Sequence, residues 1–162
     1  MRYAYVMGSG AGKTYLTINY DRIYDIEKGM GYAHINWESP GVKDKADTAL
    51  AEYKVGLLED FLSATYPFRE PDIILLVHSE LEVDLLNAEL VDKFSIDLPT
   101  LEIIIAQRKE RSYRPTDQPD FDWMEKTMRI NWEHCSEERG FKEKTHLEIE
   151  REVMKLWSNL LD

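Results

Sequence analysis

Short apolar runs alternate along this chain with longer stretches in which apolar and polar residues are mixed. Residues 3–7, 32–37 and 94–99 form short runs typical of β-strands, and residues 72–78 form the longest one. A continuous apolar run such as 72–78 indicates a central parallel strand that helices cover on both faces.

The stretches between these runs carry apolar side chains at helical spacing. The first predicted helix places Leu16, Tyr20, Ile23 and Tyr24 on one face. Residues 144–149 are ambiguous and fit a short last strand. The pattern predicts helices over residues 12–28, 43–63, 79–91, from Thr100 as N-cap to the basic residues after 107, over 121–139, and from 149 to the C-terminus.

This alternation predicts an α/β fold. We expect a three-layer sandwich with a mostly parallel sheet of four or five strands and helices on both faces. The length of 162 residues suits a single domain over residues 1–162.

Charge and composition narrow the function. The net charge is −11, from 31 acidic and 20 basic residues, which disfavours a nucleic-acid motor but allows a small phosphorylated ligand. The chain has no run of about 18 apolar residues, so we expect no membrane span. Its single cysteine, Cys135, and a first strand that leaves no room for a signal peptide predict a cytoplasmic protein. The oligomeric state is left open.

A glycine-rich loop follows the first strand and precedes the first helix. Strand, glycine-rich loop and helix are the context that a phosphate-binding loop needs. Glycines allow positive φ angles, so the loop amides can point inward at an anion while the helix presents its positive end. The predicted phosphate contacts are Gly8, Ser9, Gly10, Ala11, Gly12, Lys13 and Thr14, with Lys13 on the β- and γ-phosphates and the Thr14 hydroxyl on Mg²⁺.

Met7 interrupts the usual pattern of glycine, four residues, and Gly-Lys-Ser/Thr. Either Met7 replaces the first glycine, or the loop begins at Gly8 and is one residue shorter. The half that contacts phosphate most closely, residues 10–13, is intact.

A basic cluster ends the fourth strand–helix unit. Arg108, Lys109, Arg111 and Arg114 lie within residues 108–114 of an otherwise acidic chain. Arginine suits the clamping of a transferring phosphoryl group because it is planar, charged and bidentate. The alternative is a solvated helix end whose cations complement the helix dipole. The polar residues after it suggest a lid over about 108–120.

Acidic residues that follow strands are candidates for the base and the magnesium ligand. Glu38 follows the predicted second strand and is either a site acid or a solvated loop carboxylate. Glu80 follows the third strand and is the candidate metal contact. Glu82 also fits a helix capping box with Ser79. His78 is a candidate ligand or base, although a lone histidine at a strand end is more often structural.

Two motifs make the chain similar to the P-loop nucleoside and nucleotide kinases. They are the loop from Gly8 to Thr14, and residues 94–99 followed by a helix that ends in arginines. The resemblance implies ATP and Mg²⁺ as cofactors, and arginines that bridge the phosphates of donor and acceptor. The third strand departs from the family in lacking an Asp at its tip, and residues 38–40 only loosely resemble the family's base motif.

We therefore expect an ATP-dependent phosphotransferase acting on a nucleoside or nucleotide. Its predicted catalytic residues are Lys13, Glu38, Arg108, Arg111 and Arg114, and its metal ligands Thr14 and Glu80. Two alternatives stay open. One is a P-loop ATPase or switch that acts through a protein partner, and the other is a degenerate module that binds a nucleotide without turnover.

Overall fold

The computed structural model describes residues 1–8, 10–26, 52, 56, 72–111, 122, 125–126, 128–130, 132–133 and 140–161. The predicted strand 32–37, Glu38, Arg114 and most of the proposed lid lie outside the described residues. Residues 52 and 56 are helical and fall within the predicted helix 43–63.

Five parallel strands form one sheet in the order β2-β3-β1-β4-β5. The α/β prediction with a parallel sheet is confirmed at this level. The strands are β1 (Arg2–Met7), β2 (Ile23–Asp25), β3 (Ile73–Val77), β4 (Glu89–Ile96) and β5 (Lys142–Lys144).

Four helices have described bounds. They are α1 (Lys13–Asn19), α2 (Glu80–Leu85), α3 (Leu98–Arg111) and α4 (His146–Leu161). Further helical residues lie between 122 and 133. The predicted strand at 144–149 is wrong, because β5 ends at Lys144 and α4 begins two residues later.

Alternation along β1 divides the core between the two faces of the sheet. Tyr5 and Met7 pack on the face that α1, α3 and α4 cover, while Ala4 and Val6 pack on the face that α2 covers. All five residues of β3 are buried, which confirms the prediction of a central strand covered on both sides. Helices therefore lie on both faces, as expected for three layers.

The first helix is much shorter than its periodicity predicts. It ends at Asn19, and Tyr20 is already extended. Arg22 then adopts a left-handed φ of 64°, which breaks the helix and turns the chain into β2. Ile23 pairs with Ile74 of β3, so sheet pairing and not helical packing buries it.

The helix predicted over 79–91 is also shorter. It ends at Leu85, and Asn87 with a φ of 51° turns the chain into β4. Val83 and Leu86 are buried, whereas Leu90 lies on β4 with 37 % of its surface exposed.

Side-chain caps begin two of the helices. Asp97 Oδ1 accepts the Thr100 N–H at 2.9 Å, so Asp97 and not Thr100 begins α3. Ser79 Oγ accepts the Glu82 N–H at 3.4 Å, as the capping box predicts. The Glu82 carboxylate accepts the His78 N–H at 2.8 Å, one residue earlier than the usual box.

Within the part of the chain that the structure describes, no helix is both long enough and apolar enough to span a bilayer.

Candidate functional site

The glycine-rich loop lies at the point where the order of strand addition in the sheet reverses. β1 has β3 on one side and β4 on the other, so the chain leaves β1 towards one edge and later fills the opposite edge. Ligands of open α/β sheets bind at the carboxyl ends of the strands at such a switch point. The loop after β1 occupies this position.

The loop begins at Gly8. Met7 is the last residue of β1, and its side chain is completely buried in the core. Position 7 therefore belongs to the strand, and the glycine-rich turn begins at Gly8. Gly10 and Gly12 adopt φ angles of 80° and 92°, which residues with a Cβ rarely adopt.

Lys13 is folded back into the loop. Its side chain is only 7 % exposed, and its Nζ donates to the carbonyl oxygens of Met7 and Gly8, each at 3.1 Å. A buried ammonium requires such partners. The charge is thereby held at the centre of the loop and not at the surface, where most lysines lie.

A cavity of about 320 Å³ opens beside Lys13. It brings together side chains from the loop, from the ends of β2 and β3, and from α3. The polar side chains that line it belong to Lys13, Thr14, Tyr15, Asp25, His78 and Arg108.

Asp25 is a candidate site residue that the sequence pattern did not single out. It ends β2, is 5 % exposed, and lines this cavity together with Lys13 and Thr14. The predicted helix over residues 12–28 contains Asp25 and gives it no special position. The available signal was Ile23-Tyr24, a β-branched and an aromatic residue directly before an acid, which favours a short strand ending in a carboxylate.

His78 follows β3 and also lines the cavity, so the structure places it at the site. Its backbone N–H is bound by Glu82, which fixes the start of α2 and the position of His78 together.

The two acidic residues predicted after the third strand, Glu80 and Glu82, have other partners in the structure. Glu80 forms an ion pair with Lys93 and is not among the residues that line the cavity. Glu82 is 2 % exposed and caps α2.

The basic cluster is placed only in part. Arg108 lines the cavity, whereas Lys109 pairs with Glu125 at 2.6 Å. Arg111 ends α3, and its side chain lies outside the described residues, as do Ser9 and Arg114. The roles predicted for Glu38, Glu80, Arg111 and Arg114 stay predictions.

A second and larger cavity adjoins the first. It has a volume of about 530 Å³ and lies between α1, α3 and the start of α4. Gly12, Tyr15 and Ile104 line both cavities. Most of the larger cavity is apolar, and its polar side chains include Gln107, His146 and Glu150.

Two hydrogen bonds connect α1 and the residue that ends it to α4, beside the larger cavity. The Tyr20 hydroxyl donates to Glu150 Oε1 at 2.5 Å, and the Tyr15 hydroxyl donates to the same oxygen at 3.4 Å. The bond to the Glu150 carboxylate raises the pKa of Tyr20 to about 12, because losing the proton would place two negative charges together. The connection fixes α1, and with it the end of the loop, against α4.

Comparison with known proteins gives no family for this chain: no protein-family model matches it, and no characterised protein matches it significantly.

Proposed function

We propose that residues 8–14 bind the phosphates of ATP and that the protein transfers the γ-phosphoryl group to a nucleoside or nucleotide. The observation that carries the proposal is the position of Lys13. Its ammonium is buried inside a loop with two left-handed glycines, and the same cavity receives Arg108 from another element.

Phosphate binding would use the loop amides and Lys13 together. Successive backbone N–H groups in a glycine-rich turn form a concave anion site. The Lys13 ammonium has three N–H donors, so it can keep a bond to Met7 or Gly8 and still donate to a phosphate oxygen. This suits a polyphosphate better than a neutral ligand.

The residues present fit a magnesium ion. Among the described residues, no group of three His, Cys, Asp or Glu side chains could hold a metal alone. Mg²⁺ bound with ATP does not need such a group, since it uses phosphate oxygens, water and one or two protein oxygens. Thr14 and Asp25 line the same cavity and would supply these oxygens. When bound, the ion would neutralise charge on the phosphates.

We assign to Asp25 the magnesium role that the sequence suggested for Glu80. Glu80 pairs with Lys93 and does not line the cavity, whereas Asp25 is buried and lines the cavity together with Thr14. Glu38 keeps its proposed role as the base that receives the proton of an acceptor hydroxyl.

Arg108 would stabilise the group in transfer. The bond from the γ-phosphorus to the bridging oxygen of ADP breaks as the bond to the acceptor oxygen forms, and charge develops on the transferring oxygens. A guanidinium in the cavity beside Lys13 stabilises that charge. Arg111 and Arg114 follow Arg108 in the sequence and would complete the clamp.

The larger cavity would receive the nucleoside part of one substrate. Its volume of about 530 Å³ lies within the range of small-molecule sites, and its apolar lining suits a base. It adjoins the loop through Gly12, so the base and the phosphates of one molecule can occupy the two cavities together.

The proposal is tested by incubating the protein with ATP, Mg²⁺ and a panel of nucleosides and nucleoside monophosphates. A kinase releases ADP only when its acceptor is present, and the phosphorylated acceptor is recovered in equal amount. ADP released without any acceptor would identify an ATPase. No turnover, with ATP still raising the melting temperature, would identify a nucleotide-binding module.

A further inference from the structure

His146 joins the start of α4 to the glycine-rich loop, 136 residues earlier in the sequence. Its Nε2 lies 2.6 Å from the carbonyl oxygen of Gly10. A carbonyl oxygen only accepts hydrogen bonds, so Nε2 carries the hydrogen and donates it. Both the neutral Nε2–H tautomer and the imidazolium satisfy this bond.

This bond holds one end of the peptide unit between Gly10 and Ala11. The other end, the Ala11 N–H, donates to Gly8 O at 3.3 Å, a long bond. The peptide is thus held firmly at its oxygen and loosely at its nitrogen. The Ala11 N–H can exchange Gly8 O for a phosphate oxygen while the peptide plane stays fixed.

The conformation of Gly10 explains why the orientation of the Gly10–Ala11 peptide must be fixed by a hydrogen bond. A glycine at a φ of 80° has no side chain to limit rotation, so the adjoining peptide can turn at little cost. If it turned, the Gly10 oxygen would exchange places with an amide. A carbonyl oxygen that faced a phosphate would repel it, and the bond to His146 would keep the Gly10 oxygen in its present position.

His146 is itself held by a rigid element. It is the first residue of α4, a helix of 16 residues that buries Ile149 and Val153 in the core. The Thr145 hydroxyl accepts the Glu148 N–H at 3.2 Å and so fixes the start of the helix. The imidazole also packs on the loop, since a Cβ placed on Gly12 would lie 3.3 Å from His146 Cδ2.

We propose that His146 is a positioning residue that fixes the Gly10–Ala11 peptide for phosphate binding. The inference rests on the proposed nucleotide-binding function. Because His146 also lines the larger cavity, a base bound there would contact the same imidazole that holds the loop. The two cavities would then be linked through one side chain.

The test compares ATP·Mg²⁺ binding by calorimetry in three substitutions at position 146. His146→Ala removes the ring, and His146→Phe keeps an aromatic ring against Gly12 but removes the donor. Both should raise Kd about five- to tenfold, the size expected for one net hydrogen bond. His146→Gln keeps an N–H donor and should recover most of the affinity.

Thr145→Ala is the matched control, because it weakens the start of α4 without touching Gly10. It should lower the melting temperature as much as His146→Phe does, yet leave Kd within about twofold. An equal rise of Kd in Thr145→Ala would overturn the inference, since helix docking alone would then account for the effect. An unchanged Kd in both His146→Ala and His146→Phe would overturn it as well.

The wild-type titration separates this inference from the proposed function. If wild-type protein binds no ATP, the proposed function fails and the inference fails with it. If wild-type protein binds ATP and only the predictions for His146 fail, the proposed function stands.

Discussion

The side chain of Lys13 donates to the main-chain oxygen of Met7, with Nζ and O 3.1 Å apart. The loop therefore uses the carbonyl oxygen of Met7, while the Met7 side chain is buried in the core cluster that also contains Tyr5 and Phe94. A residue with any side chain supplies the same carbonyl. A methionine at position 7 therefore need not weaken the loop that follows it.

Met7→Ala should reduce stability but not nucleotide affinity. Removing a buried methionine side chain costs about 2–5 kcal/mol of the free energy of unfolding, through lost burial and the cavity that remains. Denaturant unfolding measures this loss, and calorimetry at a temperature where the variant is folded should give an ATP Kd within about threefold of wild type. Lost ATP binding in folded Met7→Ala would show that the side chain shapes the loop.

Arg108→Ala should slow phosphoryl transfer by about a hundredfold or more and should change ATP affinity much less. The reason is that the charge which Arg108 stabilises develops on the phosphoryl oxygens only during the transfer. Steady-state kinetics with the acceptor found in the panel gives both quantities. Lys109→Ala is the matched control on the same helix, since Lys109 forms an ion pair with Glu125 and does not line the cavity. Equal losses of kcat in the two variants would remove the special role of Arg108.

Asp25→Asn should reduce kcat by at least about tenfold and raise the Mg²⁺ concentration needed for half-maximal rate. The amide keeps the shape of the side chain but loses the negative charge that attracts the ion. A magnesium titration of the rate measures this shift. Asp21→Asn, an exposed neighbour, is the control. An unchanged magnesium requirement in Asp25→Asn would contradict the assignment.

Stability should fall above pH 10, in part through Tyr20. Its pKa is 10.0 in an unfolded chain and about 12 in the folded protein, where it donates to Glu150. The bond contributes fully below pH 10. As pH rises from about 10 to about 12, the unfolded chain loses this proton first, and the free energy of unfolding decreases.

Tyr20→Phe removes that ionisation and should make the decrease between about pH 10 and about pH 12 smaller, as measured by urea unfolding. Burial also raises the pKa of Tyr5, so Tyr5→Phe should act in the same direction. Identical decreases in wild type and Tyr20→Phe would show that the Tyr20–Glu150 bond does not form in solution.

Local sequence was sufficient for the central strand, because β3 is apolar at every position and needs no knowledge of distant residues to be recognised as buried. The glycines at positions 10 and 12 likewise predicted a turn with positive φ angles, and both residues adopt them. Sequence also predicted the α/β class and a helix after the fourth strand, which corresponds to α3.

Contacts between residues far apart in the sequence determine the features that the sequence pattern did not predict. Leu16, Tyr20 and Ile23 recur at helical spacing, but β2 has only three residues, and pairing of Ile23 with Ile74 overrides that periodicity. Asp25 was missed because the predicted helix over residues 12–28 covered the strand that Asp25 ends. The contact between His146 and Gly10 joins opposite ends of the chain, and no spacing along the sequence indicates it.

The most direct test of a phosphate-binding loop is the melting temperature of wild type and Lys13→Ala with and without ATP·Mg²⁺. At an ATP concentration of about 100 times Kd, binding should stabilise the wild type by about 2.7 kcal/mol and raise its melting temperature accordingly. Lys13→Ala should show almost no rise, while Lys155→Ala, an exposed lysine paired with Glu152, should behave as wild type. A full rise in Lys13→Ala, or none in wild type, would contradict the account.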